Sequence, residues 1–294
     1  MTTVRLRSPA KINWTMDVLG KRNDGYHEVR TILQTIALSD TVTVSPADDI
    51  EIVVTGETDD LLDQPQEDNL AYQAASALRE DAGISFGARI ELHKRIPVAT
   101  GLGGGSSNAA ETLRALRTIW RLSLTDADLA RIGSHLGSDV PFFLTGGTAL
   151  GSGRGDEITP LSDVAKQRLV VAWSSDAQPD KTAKMYSALE SSDFVDDATS
   201  ARFIKSLERG AVLGDADLSN VFDSVLRRVD PAAGQALADA YAFGIPHLAG
   251  SGPGFFFVLP PTASSEPMVR GLVKMGLTAI ESHTISASEA LEPA

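Results

Sequence analysis

The chain has 294 residues, with 26 Lys and Arg against 39 Asp and Glu for a formal charge of −13, 43% hydrophobic residues and no cysteine. That length reads as one large domain or two packed ones, and the composition excludes a disordered or collagen-like chain. Without cysteine there are no disulfides or thiolate metal sites, five scattered histidines give no zinc spacing, and the acidic balance argues against general affinity for nucleic acid or anionic membranes.

Residues 1–7 lack the apolar core of a secretory signal, and no run of about 18 apolar residues follows, so a cytoplasmic protein is expected. Alternating stretches at 4–7, 41–44, 50–54 and 89–92 predict half-buried strands. Leu70, Ala71, Ala74, Ala75 and Leu78 recur at helical spacing before Gly83 and predict an amphipathic helix. A second stripe, Ala109, Leu113, Leu116 and Trp120, predicts a helix beginning where the glycines of 101–105 stop, with Ser106, Ser107 and Asn108 as available caps. Thr125-Asp126-Ala127-Asp128 resembles a capping box, opening a third helix through Leu136.

The run 168–173 reads as a buried strand opening a second half. Helices around 199–209 and 230–242, a strand at 255–259, a helix near 264–275 and a last strand at 278–285 follow. Residues 191–200 read as an exposed acidic loop and the tail after Ser286 as a fraying end. Helices and strands mix without regular repetition, which favours an α+β fold, and a division between 1–160 and 161–294 is expected.

The strongest chemical signal is the segment 97–108, Pro-Val-Ala-Thr-Gly-Leu-Gly-Gly-Gly-Ser-Ser-Asn, leading into a helix. Glycines let successive amides converge, and the helix start adds unpaired N–H groups and a positive dipole end, so phosphate fits better than a plain flexible loop does. Neither familiar nucleotide pattern applies: Ser106 stands where the dinucleotide motif needs glycine, and the chain has no Gly-Lys-Ser/Thr.

Four weaker signals accompany it. Lys11, in Ser-Pro-Ala-Lys-Ile-Asn-Trp after the first strand, taken alone reads more readily as an ion-paired or surface lysine than as a catalytic one. Asp139, between a helix and Val-Pro-Phe-Phe, is either a cap or a base. Tyr26 and His27 follow Asn-Asp-Gly and read equally as a hairpin tip or as a platform for a planar base. Gly250-Ser251-Gly252-Pro253 reads as a tight turn, or as a place where backbone approaches the phosphate loop closely.

Taken together, Ser-Pro-Ala-Lys-Ile-Asn at 8–13, Gly-Leu-Gly-Gly-Gly-Ser-Ser at 101–107 and Gly-Ser-Gly-Pro at 250–253 resemble the three motifs of the GHMP kinases. Asp24-Gly25-Tyr26-His27, Asp68-Asn69-Leu70 and Asp139-Val140-Pro141-Phe142-Phe143 are most similar to the branch acting on a cytidine-diphosphate-linked sugar alcohol. The resemblance covers essentially the whole chain. It implies a two-lobed fold with an N-terminal mixed-sheet lobe and a C-terminal ferredoxin-like lobe.

It further implies ATP-dependent phosphorylation of the tertiary 2-hydroxyl of a cytidine-diphosphate-linked methylerythritol, a step in making isoprenoid precursors. Lys11 and Asp139 match the catalytic pair. Residues 97–107 (Pro97, Val98, Ala99, Thr100, Gly101, Leu102, Gly103, Gly104, Gly105, Ser106 and Ser107) would hold ATP phosphates, with Mg²⁺ near Ser106 or Ser107. Asn69 and Lys94 match positions near the adenine or ribose, while Asn13, Tyr26, His27 and Tyr186 match acceptor contacts. Ala99-Thr100 departs from the glycines common in the family, and Gly254-Phe255 from a smaller polar pair. The nearer alternatives are another GHMP small-molecule kinase, for which Tyr26 and His27 would have no base to hold, and a nucleotide-binding module without catalysis, which would need neither Lys11 nor Asp139. The expected partners are small molecules, with no nucleic acid or membrane, in a monomer or homodimer.

Overall fold

The structure, a computed structural model, describes residues 2–56, 65–174, 181–211 and 213–293. Strands β1 (Val4–Lys21) and β2 (His27–Ala47) pair antiparallel along their whole length, joined by the turn at 22–26, and are far longer than the stretches 4–7 and 41–44 predict. From Ser8 to Val18 every residue of β1 is buried. A strand covered on both faces loses its alternation, so the segment 8–14, expected after the first strand, is instead that strand's middle.

The first sheet is mixed and seven-stranded. Its main order is β3 (Ile50–Gly56), β4 (Gly87–Lys94), β2, β1 and β8 (Ser219–Asn220), with β3–β4 and β1–β8 parallel. A hairpin of β5 (Thr148–Ser152) and β6 (Glu157–Pro160), which no alternation signalled, attaches through β5 to β2. Helices α1 (Leu70–Asp81), α2 (Gly104–Ile119), α3 (Asp126–Leu136) and the short α4 (Val140–Thr145) share a core with this sheet around Val42, Ile90, Ala109, Leu113 and Phe142. The box at Thr125 and Asp128 forms in both directions, so aspartate serves there as well as glutamate.

The second sheet, β11 (Thr278–His283), β7 (Arg168–Trp173), β10 (Phe255–Leu259) and β9 (His247–Leu248), is antiparallel throughout. Chain order 4-1-3-2 across it is the ferredoxin-like arrangement. Helices α7 (Phe222–Val229), α8 (Pro231–Ala240) and α9 (Glu266–Lys274) bury Phe222, Leu226, Leu237 and Leu272 in the core formed with this sheet. A third cluster joins the sheets: Ile12, Trp14 and Ile36 from the first meet Leu169, Val171 and Phe256 from the second, with Trp14 edge-on to Phe256 at 5.6 Å between centroids. A division after residue 160 is our proposal, and β8, from beyond it, crosses back to β1.

Helix α5 (Lys181–Ser187) carries Tyr186. The expected acidic loop at 191–200 is instead a 3-10 turn at Ser191–Asp193 followed by α6 (Ala198–Glu208), where buried Ser200 donates its N–H and hydroxyl to Asp17 at 3.1 and 2.6 Å. The tail does not fray. Ser286 and Glu289 form a capping box on α10 (Ala287–Ala290), Arg114 donates to the Leu291 carbonyl at 2.9 Å, and Pro293 bridges to Leu6. Among the described residues no helix is long and apolar enough to cross a membrane.

Candidate active site

The glycine-rich segment beginning at Pro97 leads from β4 into α2. Gly101 and Gly103 take left-handed φ values of +84° and +76°, where an L side chain is strained. Space forbids one as well: a Cβ on Gly101 would lie 2.1 Å from the Ala249 carbonyl oxygen, and one on Gly103 would lie 2.8 Å from the Phe143 ring. The loop is therefore pressed against the 249–254 turn, which the Gly254 N–H reinforces by donating to the Thr100 carbonyl at 2.9 Å. Ala99, where glycine was noted as common in the family, itself takes φ +57°.

Helix α2 starts at Gly104, two residues earlier than expected, and Gly103 rather than a serine holds its cap position. A glycine has no side chain to cap with, so the amides of the first turn are left for an anion. Ser106, Ser107 and Asn108 are thus in the helix and not its caps. Only Ser106 of the two serines faces the cleft; Ser107 is wholly buried and its hydroxyl accepts from Ser8 at 2.8 Å. Leu102 likewise points into the core, while its carbonyl accepts the Lys11 N–H at 2.9 Å.

A cleft of about 1460 Å³ opens beside this loop and the middle of β1. Its lining brings together Lys11, Asn13, Tyr26, His27, Asn69, Lys94, residues 97–101 and 103–106, Asp139 and Tyr186. On its floor the Lys11 ammonium, nearly fully buried, donates to Asn13 Oδ1 at 2.7 Å and lies 3.5 Å from Asp139 Oδ2. Asn13 is fixed in turn by donating to Thr31 Oγ1 at 2.7 Å. Asp139 stands at the N-terminal cap position of α4 but makes no cap hydrogen bond, and its side chain remains 35% exposed and open to the cleft. Such an arrangement leaves one carboxylate beside a fixed cation, free to take a proton from a bound group.

Asn69 caps α1 by accepting the Ala71 N–H at 2.9 Å. Lys94 is buried in an ion pair with Asp40 and donates to Asn108 Oδ1 at 2.8 Å. Burial pushes its ammonium below the usual lysine range against the pull of Asp40.

At the other end of the cleft, the turn at 22–26 forms a hairpin tip, and Tyr26 with His27 at the start of β2 lines the cleft wall. The His27 ring lies 5.4 Å from Tyr186 and 6.0 Å from Phe194, and Tyr186 packs edge-on to Phe222 at 4.9 Å. Burial, with Lys21 nearby, holds the His27 imidazole below its ordinary value, which favours the neutral ring at pH 7. Burial and the charge of Asp139 push the Tyr186 phenol up. Tyr26, 53% exposed, is covered on one face by Arg154 at 4.9 Å.

Arg154, Phe194 and Lys181 line the cleft from outside every sequence motif, and Ser251 of the Gly-Ser-Gly-Pro turn joins them. Lys181 is paired with Asp230 at 2.7 Å, and Thr182 and Ser251 share a hydrogen bond of 2.9 Å. The hairpin, 3-10 turn and helix that deliver Arg154, Phe194 and Lys181 carry no strong periodic signal.

Residues 69–147 match the model of the GHMP kinases N terminal domain. The chain is 41% identical to 4-diphosphocytidyl-2-C-methyl-D-erythritol kinase of Alkaliphilus metalliredigens, over 79% of this chain and 78% of that one. It is 34% identical to the protein of that name from Dehalococcoides mccartyi, over 92% and 94%. A crystal structure of 4-(cytidine 5'-diphospho)-2C-methyl-D-erythritol kinase superposes with a TM-score of 0.77 at 30% identity, covering 95% of this chain and 98% of that one.

Proposed function

The chain belongs to the 4-diphosphocytidyl-2-C-methyl-D-erythritol kinase family of GHMP kinases, and on that footing we propose the roles of its residues in moving the γ-phosphoryl group of ATP to the 2-hydroxyl of 4-diphosphocytidyl-2-C-methyl-D-erythritol. The observation that carries the reading is the Lys11–Asp139 pair set in the same cleft as the uncapped start of α2.

Phosphoryl transfer asks a protein chiefly for alignment and charge stabilisation. The amides of 101–106 and the α2 dipole hold the nucleotide phosphates. Asp139 accepts the hydroxyl proton of the acceptor. Lys11, aimed by Asn13, keeps that carboxylate turned to the cleft and offsets negative charge as it develops. Tyr26, His27 and Tyr186 hold the cytosine, the neutral imidazole offering one donor and one acceptor to the base edge. On this reading Asn69 and Lys94, both in the cleft lining, take the nucleotide side.

Mg²⁺ favours oxygen donors and is held in such sites by one or two protein groups together with phosphates and water. The Ser106 hydroxyl, at the cleft in the first turn of α2, fits that need, whereas the buried Ser107 does not. Among the described residues no group of three or more His, Asp or Glu forms an all-protein cage. The ion would supply neutralisation of the phosphate charge.

An acceptor screen read by ADP release tests the assignment. Purified protein with Mg-ATP should release ADP with the cytidine-linked alcohol and not with homoserine or mevalonate; the reverse would end the specific assignment.

A further inference from the structure

Asp40, near the end of β2's central stretch, is 1% exposed and contributes nothing to the cleft lining. Its carboxylate nevertheless meets four donors. Oδ1 accepts the backbone N–H groups of Arg95 and Ile96 at 2.7 and 2.8 Å, the two residues that lead into the phosphate loop. Oδ2 accepts from the Lys94 ammonium and from Asn108 Nδ2 at 3.0 Å. Asn108, in the first two turns of α2, also donates to Ser8 Oγ at 2.8 Å, and Ser8 donates to Ser107 Oγ at 2.8 Å.

We propose that Asp40 is the positioning residue of the phosphate loop: one buried carboxylate clamps the loop's entry at 95–96 and its exit at Asn108, and through Asn108 and Ser8 ties both to the strand that bears Lys11. The role rests on the kinase reading above. Ser8 is three residues from Lys11 in β1 and directly opposite Asp40 in the register, so the chain of bonds connects the amides that hold phosphate to the lysine that faces the acceptor. A buried ion pair is a poor way to gain stability, because an apolar pair of similar volume does as well. Fixing both ends of a short turn is where directed bonds excel over apolar packing. A misplacement of about 1 Å in a reacting group costs on the order of a hundredfold in rate.

The test is Asp40→Asn, which keeps the shape and removes the charge, with Ser8→Ala as a milder cut at the far end. ATP binding is measured directly without acceptor, and acceptor binding separately. Asp40→Asn should weaken ATP at least tenfold and Ser8→Ala two- to fivefold, with acceptor affinity within twofold of wild type in both. A merely structural role would weaken both ligands alike or lower thermal stability alone, and either result overturns the proposal. Should Asp40→Asn fail to fold, Ser8→Ala decides, and unchanged ATP affinity in it overturns the clamp. Wild-type turnover of the cytidine-linked acceptor is measured alongside; if it is absent while Asp40→Asn still loses ATP selectively, the acceptor assignment falls and the clamp stands.

Discussion

Asp139 occupies the cap position of α4 and yet turns its carboxylate away from the helix, to within 3.5 Å of the Lys11 ammonium. Asp139→Asn preserves size and removes the base. Turnover should fall by about 10² to 10⁴, the range expected of a positioned general base, with ATP affinity little changed. Steady-state kinetics beside direct ATP binding decides; near-normal turnover would rule out the proton-accepting role.

Gly101→Ala places a methyl group 2.1 Å from the Ala249 carbonyl oxygen at a φ of +84°, where only backbone can give way. Stability should drop by about 2–4 kcal/mol, and ATP binding should weaken because the loop loses its seat on the 249–254 turn. Ala99→Gly runs the other way. Ala99 already sits at φ +57°, so glycine relieves strain while loosening the unfolded chain, and stability should stay within about 1 kcal/mol of wild type. Urea denaturation of both variants would show whether the two positions behave this differently.

His27 has its pKa lowered from 6.5 by burial and by Lys21. It is therefore less protonated than an ordinary imidazole as the pH falls from 8 to 6.5 and takes up most of its proton below that. Acceptor KM should be flat over the upper interval and rise at lower pH, where the second ring nitrogen turns from acceptor to donor, while ATP KM holds steady. In His27→Gln the acceptor should bind more weakly and without this pH dependence. An acceptor KM that rises equally in wild type and variant would remove His27 as the cause.

Glu111, wholly buried in α2, is pushed up to about 8 by loss of solvent, against the opposing pull of Arg114 at 2.8 Å, and its Oε1 has no hydrogen-bond partner among the described residues. Between pH 4.5 and about 8 the folded chain keeps a proton that the unfolded chain gives up. The sign follows: this group's contribution favours folding at low pH and is lost progressively as pH rises to about 8, with an upper bound of order 5 kcal/mol. Glu111→Gln should flatten that slope and raise stability at pH 8. Chemical denaturation at pH 5, 6.5 and 8 measures it, and parallel curves for the two proteins would contradict the assignment.

Local signals in the sequence carried well where one residue type does one job. The Thr125 box and the stripe of α1 each reflect chemistry confined to a few neighbours. Patterning misled where burial is two-sided: β1 between Ser8 and Val18 shows no alternation because it has no solvent face. Short α4, with its proline in the first turn, offers too few turns to show a stripe. The placing of α2 failed for a subtler reason, since Gly104 and Gly105 read as loop residues but are helical; a Cβ on Gly104 would meet Ile96 at 2.9 Å. Of the site, the motif residues could be listed from the sequence, but Asp40, Arg154 and Phe194 enter only through pairing of distant segments, which spacing does not encode.

The length of β1 has a consequence for how the chain can change. Within ten residues it spaces Ser8 at the loop clamp, Lys11 beside Asp139, Asn13 on Lys11 and Asp17 at the start of α6. Each residue advances a regular strand by about 3.3 Å and reverses the side its side chain takes, and the register shifts at Pro9/Ala10 and Asn13/Thr15 already set the phase between these groups. Inserting or deleting one residue between Ser8 and Asp17 would put one half of these groups out of phase with the other, even with every amino acid retained. Over this stretch it is the count of residues, more than the identity of any one, that the architecture cannot let drift.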